Sequence, residues 1–121
     1  MGYTNSWRIL KDFSYGEWET VKEIYQTKIE PNFKGIIEGG LTETEPGFGL
    51  EEFEYIKFNG IGASGYEDFI ITPFKRDLTQ FCKTNRKAYD KAIWEFLIRL
   101  ECHFPDHITI TNDDDPRILA E

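Results

Sequence analysis

Apolar and polar residues alternate along the chain with two periods, one helical and one extended. Trp18, Val21, Tyr25 and Ile29 recur at helical spacing, while Glu19, Lys22, Glu23 and Gln26 fall on the opposite face. Ser14 and Glu17 have the S-x-x-E spacing of a capping box, in which each side chain accepts a backbone N–H at the other's position. Phe13 and Trp18 occupy the two positions of a hydrophobic staple, and Pro31 ends the run. The pattern predicts a first helix over residues 15–29.

A second stripe, formed by Tyr89, Ile93, Phe96, Leu97, Leu100 and Phe104, predicts a long helix over residues 85–104. Thr84 is its expected N-cap and Pro105 its stop. Trp94, Ile98 and Cys102 form a further stripe at i, i+4, i+8 on the same segment. One sheet satisfies only the first stripe, so the second implies either a covering loop or a self-association surface centred on Trp94 and Ile98.

Extended segments are expected at 3–10, briefly at 35–38, at 52–59, at 67–72 and at 108–111. The strand at 52–59 takes its apolar side from Phe53, Tyr55 and either Ile56 or Phe58. Residues 39–50 read as a loop, Asn59 to Gly65 as a turn joining two strands, and Pro73 as the end of that hairpin. The resulting order predicts one α+β domain over 1–121, a two-layer sandwich with two helices on one face of an antiparallel sheet. Ferredoxin-like βαββαβ order fits best, and other two-layer α+β arrangements fit the same pattern.

Composition narrows the class. The 121 residues are 40% hydrophobic and 16% aromatic, enough for a core and unlike a disordered acidic tail. No apolar run approaches the ~18–20 residues of a membrane span. The opening residues lack a signal peptide's basic and apolar stretches, which favours the cytoplasm. Two cysteines make no disulfide framework. A net charge of −8 argues against general nucleic-acid binding. That charge is uneven: residues 75–99 hold seven basic and three acidic side chains, a local +4, which leaves −12 elsewhere.

Three stretches carry a resemblance. They are Met1-Gly2-Tyr3-Thr4-Asn5-Ser6-Trp7, Phe58-Asn59-Gly60, and the run from Phe81-Cys82-Lys83-Thr84 through Arg86 to Tyr89-Asp90. Together they resemble a family of small bacterial and viral proteins, known mainly as uncharacterised sequences, with motifs MGYTxYW, FNG and FCKTxRxPYD. Ser6 stands where that family has an aromatic residue, and Ala88 where it has Pro. The resemblance implies one intact domain and carries no assigned activity with it.

Candidate chemistry centres on the expected start of the second helix. Helix N-termini attract anions, yet this one is approached by Lys83, Arg86 and Lys87 with no acid before Asp90. Either Glu67, Asp68 or the glutamate-rich loop at 39–50 pairs with this cluster inside the monomer, or Lys83, Thr84, Arg86 and Lys87, with Asn59, hold an external anion or nucleotide. Cys82 beside Lys83 has the surroundings of a lowered thiol pKa, but His103 and His107 lie at the far end of the helix, so a Cys–His dyad is not expected and Cys82 reads first as a small buried hydrophobe. The G-x-G-x-x-G run at Gly60–Gly65 leads into a strand and reads as a hairpin loop. Cys102, His103 and His107 are expected in surface or helix-end roles, and Asp113 to Asp115 as a solvated run, so no metal or cofactor is implied.

These features point first to a non-enzymatic interaction protein, inhibitor- or immunity-like, whose acidic surface meets a basic protein partner, as a monomer or weak homodimer. The alternatives are an anion- or nucleotide-binding domain and a small enzyme using Cys82.

Overall fold

Antiparallel pairing organises the chain into two three-stranded sheets. The computed structural model describes residues 4–43 and 54–113. Tyr3, Phe53, most of the expected loop at 39–50 and the acidic residues after Asp113 lie outside the described residues. In chain order the elements are β1 (Thr4–Ile9), α1 (Tyr15–Ile24), β2 (Ile37–Glu43), β3 (Glu54–Gly60), β4 (Phe69–Ile71), β5 (Gln80–Lys83), α2 (Asp90–His103) and β6 (Ile108–Asn112). The sheets run β5-β1-β6 and β2-β3-β4.

The α+β class is as expected, with two helices and antiparallel sheets. β1 lies between the last strand and the strand before α2, as ferredoxin-like order requires of those three. The complete order is not reached, because the middle strands form a sheet of their own. Pro73 follows β4 closely, and a residue without an N–H cannot extend a ladder. The chain then crosses to the end of β1, where the Arg76 N–H donates to the Ile9 carbonyl at 3.0 Å. Just ahead of β4, the Glu67 N–H donates to the Lys83 carbonyl of β5 at 3.2 Å.

The first helix begins as its sequence dictates. Ser14 N–H donates to Glu17 Oε1 at 2.8 Å and Glu17 N–H to Ser14 Oγ at 3.2 Å, closing the capping box. The Phe13 and Trp18 rings stand 6.2 Å apart, as a staple should. The helical run continues as a π turn over Tyr25–Ile29, so its reach matches the apolar pattern. Lys22 ties it to β3 through Glu54 at 2.7 Å and also holds Glu19, contacts that push its ammonium up to about 12.

Two boundaries depart from the pattern. β2 runs through Gly39 and Gly40, which read as loop because glycine weakens strands. At Gly39, φ is +122° and a Cβ would run into the Lys57 carbonyl, so the glycine is what permits close pairing with β3. α2 starts at Asp90, well after the expected residue 85. Asn85 and Arg86 have φ of +50° and +59°, and Lys87 N–H donates to the Thr84 carbonyl at 3.0 Å. This is a type I′ turn, whose left-handed residues cannot enter an α-helix. Thr84 is therefore not the N-cap; Tyr89 occupies that position with no side-chain cap, and Asp90 supplies the acid that the first turn favours.

The core is aromatic where elements meet. Phe69 of β4 lies 4.8 Å from Trp7 of β1, 5.0 Å from Phe58 of β3 and 6.0 Å from Phe96 of α2. Tyr25 stacks on Phe58 at 5.7 Å and meets Phe96 at the same distance. The first α2 stripe is buried, from Tyr89 through Ile93, Phe96, Leu97 and Leu100 to Phe104. His107 corrects its expected surface role. It is 6% exposed, stacked on Phe13 at 5.0 Å, with Nε2 2.9 Å from Glu17 Oε2.

Candidate functional site

Alternation along β5 decides the fate of the predicted site. Cys82 points inward and is fully buried, whereas Phe81 and Lys83 point outward. The segment was expected as the approach to a helix; it is instead the strand beside β1, with Asn5 opposite Cys82 and Ser6 opposite Phe81. The apolar stripe that signals α2 has no member between Lys83 and Ala88, and that gap was the available sign of an earlier strand end.

The motif residues converge on a polar knot at the start of α2. Asp90 Oδ1 accepts from Thr84 Oγ1 at 2.6 Å and from Asn5 Nδ2 at 2.8 Å, and Asn5 Oδ1 accepts from Asn112 Nδ2 at 3.3 Å. Asn5, Thr84 and Asn112 are all buried. Beside it, the Glu67 carbonyl accepts from Tyr89 Oη at 2.7 Å and from Cys82 Sγ at 3.4 Å, while Glu67 Oε1 accepts the Lys83 N–H at 2.7 Å. Burial first, then the Glu67 charge, pushes the Cys82 thiol up to about 12, so at neutral pH it is a thiol and not a thiolate. The sequence-based expectation of a lowered thiol pKa is thereby reversed. Burial likewise raises Tyr89.

The remaining predicted residues separate. Asn59 Oδ1 accepts the Gly60 and Tyr66 N–H groups, and its Nδ2 donates to the Tyr66 carbonyl and to Asp68 Oδ1. Both acceptor and both donor capacities of the amide are used to close the glycine-rich hairpin loop. A Cβ at Gly60 or Gly65 would strike that closed loop, so these glycines serve packing between neighbouring backbones. Glu67 meets Lys83 through the Lys83 backbone, and Asp68 Oδ2 lies 3.7 Å from Lys57 Nζ. Lys83 and Arg86 are exposed and Lys87 half-buried, around the I′ turn and not around a helix end. Trp94 is half-buried and Ile98 40% exposed on the outer side of α2.

A second surface emerges that the sequence did not announce. The inward residues of the β5-β1-β6 sheet are Asn5, Trp7, Ile9, Cys82, Ile108, Ile110 and Asn112. Its outward positions carry Thr4, Ser6, Arg8, Phe81, Lys83, Thr109 and Thr111. None of these outward residues is acidic. Phe81 is 58% exposed, and across the ladder from it stand only the hydroxyls of Ser6 and then Thr111. The exposed segment leading into β5 carries Leu78, 79% exposed, with Lys75, Arg76 and the acid Asp77.

Charge is correspondingly uneven. The described residues hold 13 basic and 16 acidic side chains, so −3 of the net −8 lies among them. Among the described residues no group of three His, Cys, Asp or Glu side chains is arranged to hold a metal, and no helix is long and apolar enough to cross a membrane. The chain matches no protein-family model, no curated protein and no solved structure.

Proposed function

We propose that this chain is a non-enzymatic binding protein that engages another protein through the solvent face of the β5-β1-β6 sheet. The observation that carries this reading is Phe81, a large aromatic side chain 58% exposed on a regular strand, flanked outward by Arg8 and Lys83. Exposed aromatic and Arg residues are the groups that supply most binding energy at protein interfaces. The cations and the lack of outward carboxylates suit an acidic contact surface on the partner, the opposite of the basic partner that the net charge alone implies. Against catalysis stands the state of Cys82, whose thiol is buried and held protonated. In affinity capture from cell extract, the wild-type chain is expected to retain a partner that Phe81→Ser loses and that Ile98→Ser keeps. Retention by Phe81→Ser equal to wild type overturns the assignment of the surface.

A second reading rests on a cleft of about 230 Å³ at the edge of the same face, lined by Thr4, Tyr66, Lys83 and Asn85. Its one cation and exposed aromatic ring suit a small anion such as a nucleotide, with Arg86 on the adjoining turn. Inorganic phosphate and nucleotides are expected to raise the melting temperature of the wild type and not of Lys83→Ala. A shift that survives Lys83→Ala removes this site.

A further inference from the structure

The outer side of α2 is the other place where apolar surface meets solvent. Ala92, Ile93, Phe96, Leu97 and Leu100 face the core, while Ile98 and Cys102 form an exposed ridge with Trp94 half-buried beside it. Trp94, Ile98 and Cys102 themselves line a shallow cleft of about 740 Å³, and a second of about 450 Å³ lies between Cys102 and the first helix. Among the described residues their walls come from α1, the π turn, α2 and β6, and no loop crosses them. Of the two explanations for the second stripe, the covering loop is not found among the described residues.

The charges around the larger cleft identify an occupant. Asp90 and Glu95 stand with Lys91 and Arg99, two of each sign, on a chain whose net charge is −8. A neutral, mixed-sign rim suits a surface of the same composition better than a strongly charged partner. Within one helix Arg99 Nη2 already reaches Glu95 Oε1 at 3.2 Å, and both side chains are more than a third exposed. If two copies of α2 lie antiparallel about a two-fold axis near residue 97, Glu95 of each faces Arg99 of the other. The same register brings Trp94 of each copy over Ile98 and Cys102 of the other, so that the two apolar stripes pack on one another.

We infer that the outer face of α2 is a self-association surface, on which a second copy of this chain docks antiparallel with reciprocal Glu95–Arg99 contacts. The surface is separate from the sheet face proposed above. The contact is confined to one helix of 14 residues, about 21 Å long at 1.5 Å per residue. So short a contact is expected to associate weakly, in the micromolar to millimolar range.

Sedimentation equilibrium of the full chain from about 10 μM to about 1 mM tests this range. The expected mass rises from monomer toward dimer. Ile98→Glu remains monomeric, and Glu95→Arg, which sets Arg against Arg across the axis, does the same. The double variant Glu95→Arg/Arg99→Glu recovers the dimer. All substituted positions are solvent-facing, and a melting curve for each variant confirms that it is folded; Glu95→Arg carries the test should Ile98→Glu unfold. A wild type that stays monomeric throughout, an Ile98→Glu that associates normally, or a double variant that fails to recover overturns the inference. Phe81→Ser is expected to dimerise like wild type while losing its partner, so the two surfaces fail independently.

Discussion

Cys82 and Cys102 are the chain's two cysteines, and their surroundings give them opposite chemistry. Cys102 is exposed on α2, whereas Cys82 is buried against the Glu67 carbonyl. Alkylation of the native protein at neutral pH is expected to modify Cys102 and spare Cys82 until urea unfolds the chain; modification of both at one rate contradicts this burial. The same thiol makes stability depend on pH. In the unfolded chain it ionises near about 8.5, and in the fold only near about 12. The folded state therefore holds the proton more tightly, so stability is complete below about pH 8.5 and falls as pH rises through that window. Cys82→Ala is expected to lose less of its urea midpoint than wild type between pH 7 and pH 10, roughly the lower half of the window. Equal losses would remove Cys82 as the cause. The residues of this centre were legible in the sequence as a motif. Their chemistry was not, because adjacency to Lys83 suggested thiolate while the strand alternation that buries Cys82 is a tertiary fact.

Among the elements, α2 has both its start and its neighbours fixed by the knot around Asp90. One carboxylate oxygen receives Asn5 from β1 and Thr84 from the turn. Asp90→Ala removes the acceptor of two hydrogen bonds from the fully buried Asn5 and Thr84, and is expected to cost about 2–3 kcal/mol in urea unfolding. The double variant with Asn5→Ala is expected to fall short of additivity by about 1 kcal/mol, since both remove one shared bond. A cost below about 0.5 kcal/mol for Asp90→Ala means that the knot is not what holds the helix start. The capping box, the staple and the buried stripe of α2 were all legible, being local or strictly periodic. The late start of α2 was not: a type I′ turn formed by Asn and Arg lacks the glycine that ordinarily announces one. β2 was foreshortened for the converse reason, since Gly39 and Gly40 sit inside a strand.

For the whole molecule, net charge gives way to distribution. The −8 of the chain suggested a broadly acidic surface and a basic partner, yet the outward positions of the β5-β1-β6 sheet carry Arg8, Lys83 and no acid. The basic bias of residues 75–99 was visible in sequence. Its division was not: Lys83 joins Arg8 on a sheet face, while Lys91 and Arg99 balance Asp90 and Glu95 on a helix face. Phe81 sits where the first of these surfaces is most apolar. The α+β class followed from the order of elements, but the split into two sheets depended on where the chain turns after Pro73 and crosses to β1. The account as a whole rests on the sheet face as the binding surface. Its most direct test is calorimetric titration of the captured partner into three chains: wild type, Phe81→Ser and Ile98→Ser. The expected result is a dissociation constant at least about tenfold weaker for Phe81→Ser and within about twofold of wild type for Ile98→Ser. Equal affinities for wild type and Phe81→Ser would contradict it.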